Sequence, residues 1–142
     1  MIYFIVNPSA GSGRASKAVP VIEKIMRENK ADYEFIYTDV PGDFIRVSGL
    51  IDMNKAKSVV CVGGDGTVQE YVGLAAGKDI SFGIIPAGSG NDALFSIPAE
   101  KSFDAQQKFK NFEDKITFYT EKIIRNKTIY TDAILINKDK QR

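Results

Sequence analysis

The sequence contains no histidine, and this absence excludes several kinds of chemistry within its 142 residues. Serine or cysteine nucleophiles activated by histidine, and metal sites with imidazole ligands, cannot be built from these residues. The single cysteine, Cys61, cannot form a disulfide within the chain, which fits a reducing compartment. Because Cys61 lies in an apolar run, we predict that it is a small buried side chain.

The chain also lacks an excess of charge and a long apolar run. Nineteen basic residues stand against eighteen acidic ones, so the electrostatic footprint of nucleic-acid binding is missing. No apolar stretch approaches the roughly 18 residues of a membrane span. The first residues lack the basic segment of a signal peptide. We therefore expect a globular, cytoplasmic chain without a nucleic-acid partner.

Four short apolar runs are rich in β-branched and aromatic residues and predict strands. Amphipathic segments between these runs predict helices. Because apolar strands alternate with helices, the predicted fold class is α/β, with three layers and a mostly parallel sheet flanked by helices. The predicted strands are Ile2–Val6, Tyr33–Thr38, Ser58–Val62 and Ser81–Ile85.

Apolar residues recur at helical spacing in four further segments. Pro20 is unfavourable inside the first of these helices because it removes a backbone hydrogen bond. Asp43 is the predicted cap of the second helix, and Gly77 the predicted end of the third. The predicted inner-facing residues are Ala15, Ala18, Val19, Ile22, Ile25, Met26, Phe44, Val47, Leu50, Ile51, Phe112, Ile116, Tyr119 and Ile123.

Three glycine-containing loops follow predicted strands: "NPSAGSG", "GGDGT" and "PAGSGND". Ligands bind open parallel sheets beyond the carboxyl ends of the strands, where these loops lie. Glycine lets backbone N–H groups come close to a phosphate, and a following helix favours the negative charge. The GxxxxGK[ST] and GxGxxG patterns are both absent, which argues against an ordinary triphosphatase loop and against a dinucleotide fold. The loops therefore predict a phosphate site of another kind.

Taken together, the three loops resemble the diacylglycerol kinase catalytic domain family, which shares a superfamily with sphingosine kinases and NAD kinases. "GGDGTVQE" resembles the GGDGT signature of this superfamily, and "VNPSAGSGRA" the Asn-Pro-x-x-Gly motif of the lipid kinases. "IIPAGSGNDAL" resembles a Gly-Thr-Gly-Asn-Asp-Phe-Ala loop that NAD kinases do not share. The motifs occur in the expected order between Val6 and Leu94.

The resemblance implies ATP and Mg²⁺ as cofactors and assigns roles to individual positions. Thr67 offers a hydroxyl at the start of the third helix. Asp65 is the candidate catalytic residue, with a magnesium or hydrogen-bonding role, and a turn-forming aspartate is the alternative. The metal ligands are not identified. The implied ATP-contacting residues are Asn7, Pro8, Ser9, Ala10, Gly11, Thr38, Gly64, Asp65, Gly66, Thr67, Val68, Gln69, Glu70 and Ser89.

Several residues depart from the family pattern. Gln69 stands where the family usually has asparagine, and Ser89 replaces threonine while keeping the hydroxyl. Residues 93–95 read Ala-Leu-Phe where the family usually has a stretch ending in arginine. One positive charge that the resemblance places near the site is therefore missing.

Family members are longer, with a second, β-rich domain that by resemblance carries the acid/base group, further magnesium contacts and most of the lipid-facing surface. We interpret residues 1–127 as the nucleotide-binding α/β domain and residues 128–142 as the start of the missing second domain. Asp132 matches an acid that is common in the first strand of that domain. A free strand edge there would invite pairing with another copy, so a homodimer is an open alternative.

The predicted function is that of the ATP-binding N-terminal domain of a lipid kinase, which transfers the γ-phosphoryl group to a hydroxyl of diacylglycerol or a related lipid. The lipid would bind the missing domain, and the intact enzyme would contact the membrane peripherally. This chain alone is expected to bind nucleotide weakly and to transfer hardly any phosphate. Two alternatives remain: a non-catalytic nucleotide- or phosphate-binding module, and an NAD kinase-like enzyme, which "AGSGND" disfavours.

Overall fold

The computed structural model describes residues 1–95 and 108–125, and within them four strands form one parallel sheet. The order across the sheet is β2-β1-β3-β4, so the first strand is central. Its register pairs Ile2 with Tyr33 on one side and with Ser58 on the other. All four predicted strands are confirmed, with bounds shifted by at most one residue. The strands are β1 (Ile2–Val6), β2 (Tyr33–Tyr37), β3 (Ser58–Gly63) and β4 (Ser81–Pro86).

Helices cover both faces of this sheet and make the three layers that the sequence predicts. They are α1 (Ala10–Glu28), α2 (Phe44–Leu50), α3 (Asp65–Tyr71), α4 (Asp92–Phe95) and α5 (Phe112–Ile124), with a 3₁₀ turn (Val72–Leu74) after α3. The helices α1 and α5 pack on one face, and α2 and α3 on the other. The α/β fold class is therefore confirmed.

The two faces of the sheet follow from the alternation of side chains along each strand. Phe4 and Val6 point into the core under α1 and α5, whereas Tyr3 and Ile5 point into the core under α2 and α3. Cys61 lies fully buried in the second core, as predicted. Burial raises the pKa of its thiol. Because all these strand residues are buried on both faces, the sheet is a rigid base for the loops at its edges.

The chain enters α1 through a turn of unusual handedness. Gly11, Ser12 and Gly13 have φ values of 59°, 57° and 85°, so the right-handed part of the helix begins at Arg14. Pro20 lies inside this helix on its exposed side, and the helix continues through it with one fewer backbone hydrogen bond.

Two details of the helix predictions are wrong, and a third is confirmed in position only. Leu50, the last residue of α2, is half exposed, whereas Val47 and Ile51 are buried as predicted. The third helix begins at Asp65 and its last 3₁₀ turn ends before Gly77, which has a positive φ of 71° in the following turn. Asp43 is the N-cap residue of α2, as predicted, but its carboxylate accepts from the Arg46 side chain and from the Asp39 N–H and does not cap a backbone N–H of the helix.

The predicted strand at residues 128–137, with Asp132, and the boundary after residue 127 lie outside the described residues. In the described part of the chain, no helix combines the length and apolar character needed to cross a membrane.

Candidate functional site

The main cleft lies where the order of the strands reverses. The chain leaves β1 towards β2 on one side, whereas β3 and β4 lie on the other side. Loops at such a reversal diverge and leave a crevice beyond the carboxyl ends of the strands. Here the crevice has a volume of about 510 Å³, within the range of roughly 300–1,000 Å³ that is typical of small-molecule sites.

All three glycine loops and the segment after β2 line this cleft. The predicted ATP-contacting residues that line it are Asn7, Pro8, Ser9, Ala10, Gly11, Thr38, Gly64, Gly66, Thr67, Glu70 and Ser89. Lining residues that the sequence did not single out are Asp39, Val40, Pro41, Tyr71 and Gly88. The four segments converge because the carboxyl ends of parallel strands meet at one edge of a sheet.

Three of the predicted residues do not line the cleft. Val68 packs against the core under α2 and α3, and Gln69 is exposed. The carboxylate of Asp65 faces α4, where it accepts a hydrogen bond of 2.7 Å from the Ala93 N–H. This backbone donor, with those of Asp92 and Asn91, lowers the pKa of Asp65. Asp65 therefore ties the second loop to the third, and its catalytic role stays a prediction.

Asn7 connects the first and second loops across the reversal. Its side-chain amide donates to the hydroxyl of Thr67 over 3.3 Å. Its carbonyl oxygen accepts from the backbone N–H and the hydroxyl of Ser9, at 3.2 and 2.9 Å. The backbone N–H of Asn7 donates to Val62 in the neighbouring strand. Asn7 therefore fixes both the shape of its own loop and its distance from α3.

The first loop also has the backbone geometry of an anion site. Ser9 is right-handed, with φ −83° and ψ −11°, and the chain becomes left-handed at Gly11. A change from right-handed to left-handed residues gathers successive N–H groups into a concave nest that favours anions. A Cβ atom at Gly11 would collide with the carbonyl oxygen of Ala87. Glycine is therefore required at this position by handedness and by the approach of the third loop.

The second and third loops touch through their backbones. A Cβ atom on Gly64 would lie 3.0 Å from the Cα of Gly88. The N–H groups of Ala87 and Gly88 both donate to the carbonyl of Gly63, at 2.9 and 3.0 Å. Gly66 differs, since a Cβ atom there would meet nothing within 4 Å and the residue lines the cleft. Gly64 and Gly88 thus allow the second and third loops to pack closely. Gly66 leaves the cleft without a side chain at its position.

The third loop is closed by its own side chains. The amide of Asn91 donates to the Gly88 carbonyl over 3.0 Å and accepts from the Gly88 N–H over 2.9 Å. Arg14 reaches the same carbonyl from α1, with 2.9 Å between its Nη2 and the Gly88 oxygen. Arg14 is not among the predicted site residues, although a basic residue directly after the glycine turn "SAGSG" is a visible signal.

The far end of the cleft is acidic and has buried polar atoms. Asp39 and Glu70 are the charged residues of the described lining. Glu70 Oε1 and the Tyr71 hydroxyl are buried without a partner at normal hydrogen-bond geometry, although the Glu70 carboxylate lies close enough to act on the hydroxyl. Burial raises the pKa of Tyr71, and the carboxylate of Glu70 raises it further. Both oxygens are therefore suited to a ligand that donates hydrogen bonds.

Arg46 anchors the rim of this acidic end, which is formed by Asp39, Val40 and Pro41. It donates to the carboxylate of Asp43 through two nitrogens and to the Tyr37 carbonyl over 2.6 Å, and it pairs with Asp39 at 3.3 Å. Arg46 lowers the pKa of Asp43 most, and the Asp39 N–H lowers it further. The rim that carries Val40 and Pro41 is thus anchored at both ends.

A metal ion would find few protein ligands here. In the described ranges, no group of three aspartate, glutamate or cysteine side chains is placed to hold a metal. The carboxylate of Asp65 already accepts backbone hydrogen bonds, and that of Asp39 pairs with Arg46. Magnesium is often held by one or two carboxylates together with phosphates and water, and the site fits only that kind of binding.

Comparisons with known proteins agree with this geometry. "Putative lipid kinase YtlR" of Bacillus subtilis (strain 168) is 33% identical over 121 residues, which cover 81% of this chain and 38% of that protein. "Diacylglycerol kinase" of Mycobacterium tuberculosis (strain ATCC 25618 / H37Rv) is 37% identical over 101 residues, covering 68% of this chain and 32% of that protein. This chain thus spans well under half the length of either relative.

A solved structure shows the same fold. The crystal structure of a diacylglycerol kinase from Bacillus anthracis str. Sterne superposes with a TM-score of 0.60 at 23% identity, over 85% of this chain and 42% of that one. The family model of the diacylglycerol kinase catalytic domain matches residues 1–132. The chain therefore belongs to the diacylglycerol kinase catalytic domain family.

Proposed function

We propose that this chain is the ATP-binding part of a lipid kinase that phosphorylates a hydroxyl of diacylglycerol or a related lipid. The observation that carries the proposal is the convergence of three glycine loops on one cleft at the reversal of the sheet. The relatives whose names state a lipid kinase activity support the choice of reaction.

The phosphates are proposed to bind between the first and second loops. The N–H groups of Ser9 and Ala10 already donate to Asn7, so the nest is proposed to contribute the N–H of Gly11. The hydroxyls of Thr67 and Ser89 lie on the same cleft. Gly66 lets a phosphate approach the backbone of α3 without meeting a side chain. Magnesium, when bound with the phosphates, would supply positive charge to this site.

The nucleoside is proposed to occupy the acidic end. Val40 and Pro41 give an apolar rim on which a base can lie. The unpaired oxygens of Glu70 and Tyr71 can accept hydrogen bonds from ribose hydroxyls or an amino group. Burying such oxygens costs roughly 1–3 kcal/mol each, a cost that a donating ligand relieves.

Phosphoryl transfer needs more than these residues provide. Orienting the acceptor can lower a barrier by roughly 7–11 kcal/mol, and by the family resemblance the acceptor site belongs to a second domain. We propose that the chain alone binds ATP weakly and transfers very little phosphate. Lipid phosphorylation by the purified chain, without a longer chain present, would contradict this.

Gly66→Ala should weaken ATP binding without lowering the free energy of unfolding, so it tests the binding site apart from the fold. Alanine is a better helix former than glycine by roughly 0.5–1 kcal/mol, so the free energy of unfolding should stay equal or rise. The new methyl group stands on the cleft wall, and we expect ATP to bind at least about tenfold more weakly by isothermal titration calorimetry, a loss of roughly 1.4 kcal/mol.

Gly49→Ala is the matched control. Gly49 lies in α2, where an added Cβ also meets nothing within 4 Å, but it does not line the cleft. It should gain similar stability and keep the ATP affinity of the wild type. Unchanged ATP binding by Gly66→Ala would refute the placement of the phosphates.

The alternative functions differ in the ligand that binds and in the molecule that receives the phosphoryl group. Binding of NAD more tightly than ATP, with phosphate transfer to NAD by a longer chain, would favour an NAD kinase-like enzyme. ATP binding by the longer chain without transfer to any lipid would favour a non-catalytic module. Labelled ATP with a panel of lipids, NAD and water distinguishes these outcomes.

A further inference from the structure

Arg14 bridges two of the three loops that line the cleft. Its Nε donates to the carbonyl of Gly11 over 3.1 Å, and its Nη2 donates to the carbonyl of Gly88 over 2.9 Å. Gly11 and Gly88 both line the cleft, so the guanidinium lies directly beside the cleft wall. Residues 11 and 88 are far apart in sequence, and this side chain fixes the distance between their loops.

Arg14 is also the arginine of the described ranges that forms no ion pair. Of the four arginines in the described ranges, Arg27, Arg46 and Arg125 pair with Glu23, Asp43 and Glu121. Among the same residues, the hydrogen-bond partners of Arg14 are neutral carbonyls, and no carboxylate pairs with it. A guanidinium has five N–H donors, and two of them are used here, which leaves three for a ligand.

A phosphate ligand in the cleft would need the positive charge of Arg14. Its described lining contains no lysine or arginine, while Asp39 and Glu70 are acidic. A triphosphate that entered such a lining alone would meet net repulsion. Arg46 also contacts the lining, at Asp39, but it forms ion pairs there with Asp39 and Asp43. Arg14 contacts the lining at Gly11 and Gly88 through neutral carbonyls, so its charge is not offset by a carboxylate partner among the described residues.

We propose that Arg14 is a positioning residue for the phosphate site: it holds the first and third loops together and supplies the positive charge that the cleft lining lacks. The inference rests on the proposed function, because it requires phosphates in the cleft. Lysine cannot replace it fully, since an ammonium is a point charge without the planar fork that spans two carbonyls.

Binding of ATP and of adenosine by the full chain tests the phosphate role. Arg14→Ala should weaken Mg·ATP binding about tenfold at low salt and leave adenosine binding unchanged, because only ATP carries phosphates. The loss should shrink as salt is raised, since an exposed charge is screened. Arg14→Lys should restore part of the ATP affinity.

Arg27→Ala is the control for loss of an arginine from the same helix. Arg27 lies in the last turn of α1 and pairs with Glu23, away from the cleft. It should bind both ligands as the wild type does. Equal losses of ATP and adenosine in Arg14→Ala would show a merely structural effect and would overturn the phosphate role.

Hydrogen exchange without any ligand tests the bridge separately. In Arg14→Ala, amides of residues 88–94 should exchange about tenfold faster while those of β3 (Ser58–Gly63) do not change. Unaltered exchange in the third loop, or full restoration of both ATP affinity and exchange by Arg14→Lys, would overturn the bridging role. If the wild type binds no ATP, the proposed function and the phosphate role both fail, and the exchange result still decides the bridge.

Discussion

Asp65 offers the sharpest test of how the loops are held together. Its carboxylate accepts from the Ala93 N–H at the start of α4, a helix of only four residues. The first N–H groups of a helix have no partner within the helix, so a carboxylate beside them acts as a cap. Asp65→Ala removes the cap, and Asp65→Asn keeps an oxygen that can accept but removes the charge.

The expected size of each effect follows from this bond. A hydrogen bond to a charged group contributes roughly 1.5–3 kcal/mol, and we take about 1.5 kcal/mol for Asp65→Ala because the residue is partly exposed. A neutral acceptor is about half as strong, so Asp65→Asn should lose about 0.8 kcal/mol. With an m-value of about 2 kcal/mol/M in urea, the midpoints should fall by about 0.75 and 0.4 M.

Urea unfolding followed by far-UV circular dichroism measures these midpoints. Asp79→Ala, a change of an exposed aspartate in the turn before β4, should leave the midpoint unchanged. Because the pKa of Asp65 is lowered in the folded protein, its stabilisation is complete above the unfolded pKa of about 3.9 and disappears as the pH falls through the folded value. Because the protonated carboxyl still accepts as a neutral group, the wild type should approach Asp65→Asn as the pH falls through the folded value.

The kinase activity of a longer chain then distinguishes a positioning role of Asp65 from a catalytic one. If Asp65 only positions the third loop, Asp65→Asn should keep much of the activity that Asp65→Ala loses. If Asp65 takes part in the reaction, both variants should be inactive. Equal midpoints for wild type and Asp65→Ala at pH 7 would refute the capping role itself.

Two further predictions concern the loops and the rim. Gly13→Ala should lower the free energy of unfolding by about 1 kcal/mol through its left-handed backbone, whereas Gly11→Ala should lower it at least twice as much, because its Cβ also meets the Ala87 carbonyl. Equal losses in urea unfolding would show that the first and third loops separate freely. For Asp43, whose pKa Arg46 lowers, the urea midpoint of the wild type should exceed that of Asp43→Asn at pH 6, and the gap should close as the pH falls below 4; a gap independent of pH would contradict the ion pair.

Much of the fold could be predicted because its cause is local. The runs at Ile2–Val6 and Ser58–Gly63 are apolar and β-branched, and such runs bury well on both faces of a parallel sheet. The convergence of Asn7, Thr67 and Ser89 followed from topology alone, since each lies just beyond the carboxyl end of a strand.

The choice of hydrogen-bond partners could not be predicted, because the position of a carboxylate in the sequence does not decide which of several nearby donors it accepts from. Asp43 has the sequence position of a helix cap, but the guanidinium of Arg46 takes its carboxylate instead. Asp65 opens a helix that lines the cleft, yet it caps a different helix, α4, which the loop composition did not predict. Sequence spacing places a side chain on an element, and packing between elements decides what it contacts.

The sheet order has a consequence for the synthesis of the protein. The central strand β1 is made first, but its partner β3 ends at Gly63, 57 positions after Val6. At roughly 5–20 residues per second, a ribosome needs about 3–11 s to cover that distance. During this interval the apolar "IYFIV" segment has at least one bare edge, and such edges pair readily with other chains. In a nascent chain this edge therefore stays unpaired until β3 emerges, and α1, which follows directly and packs on Phe4 and Val6, covers only one face of the strand in the meantime.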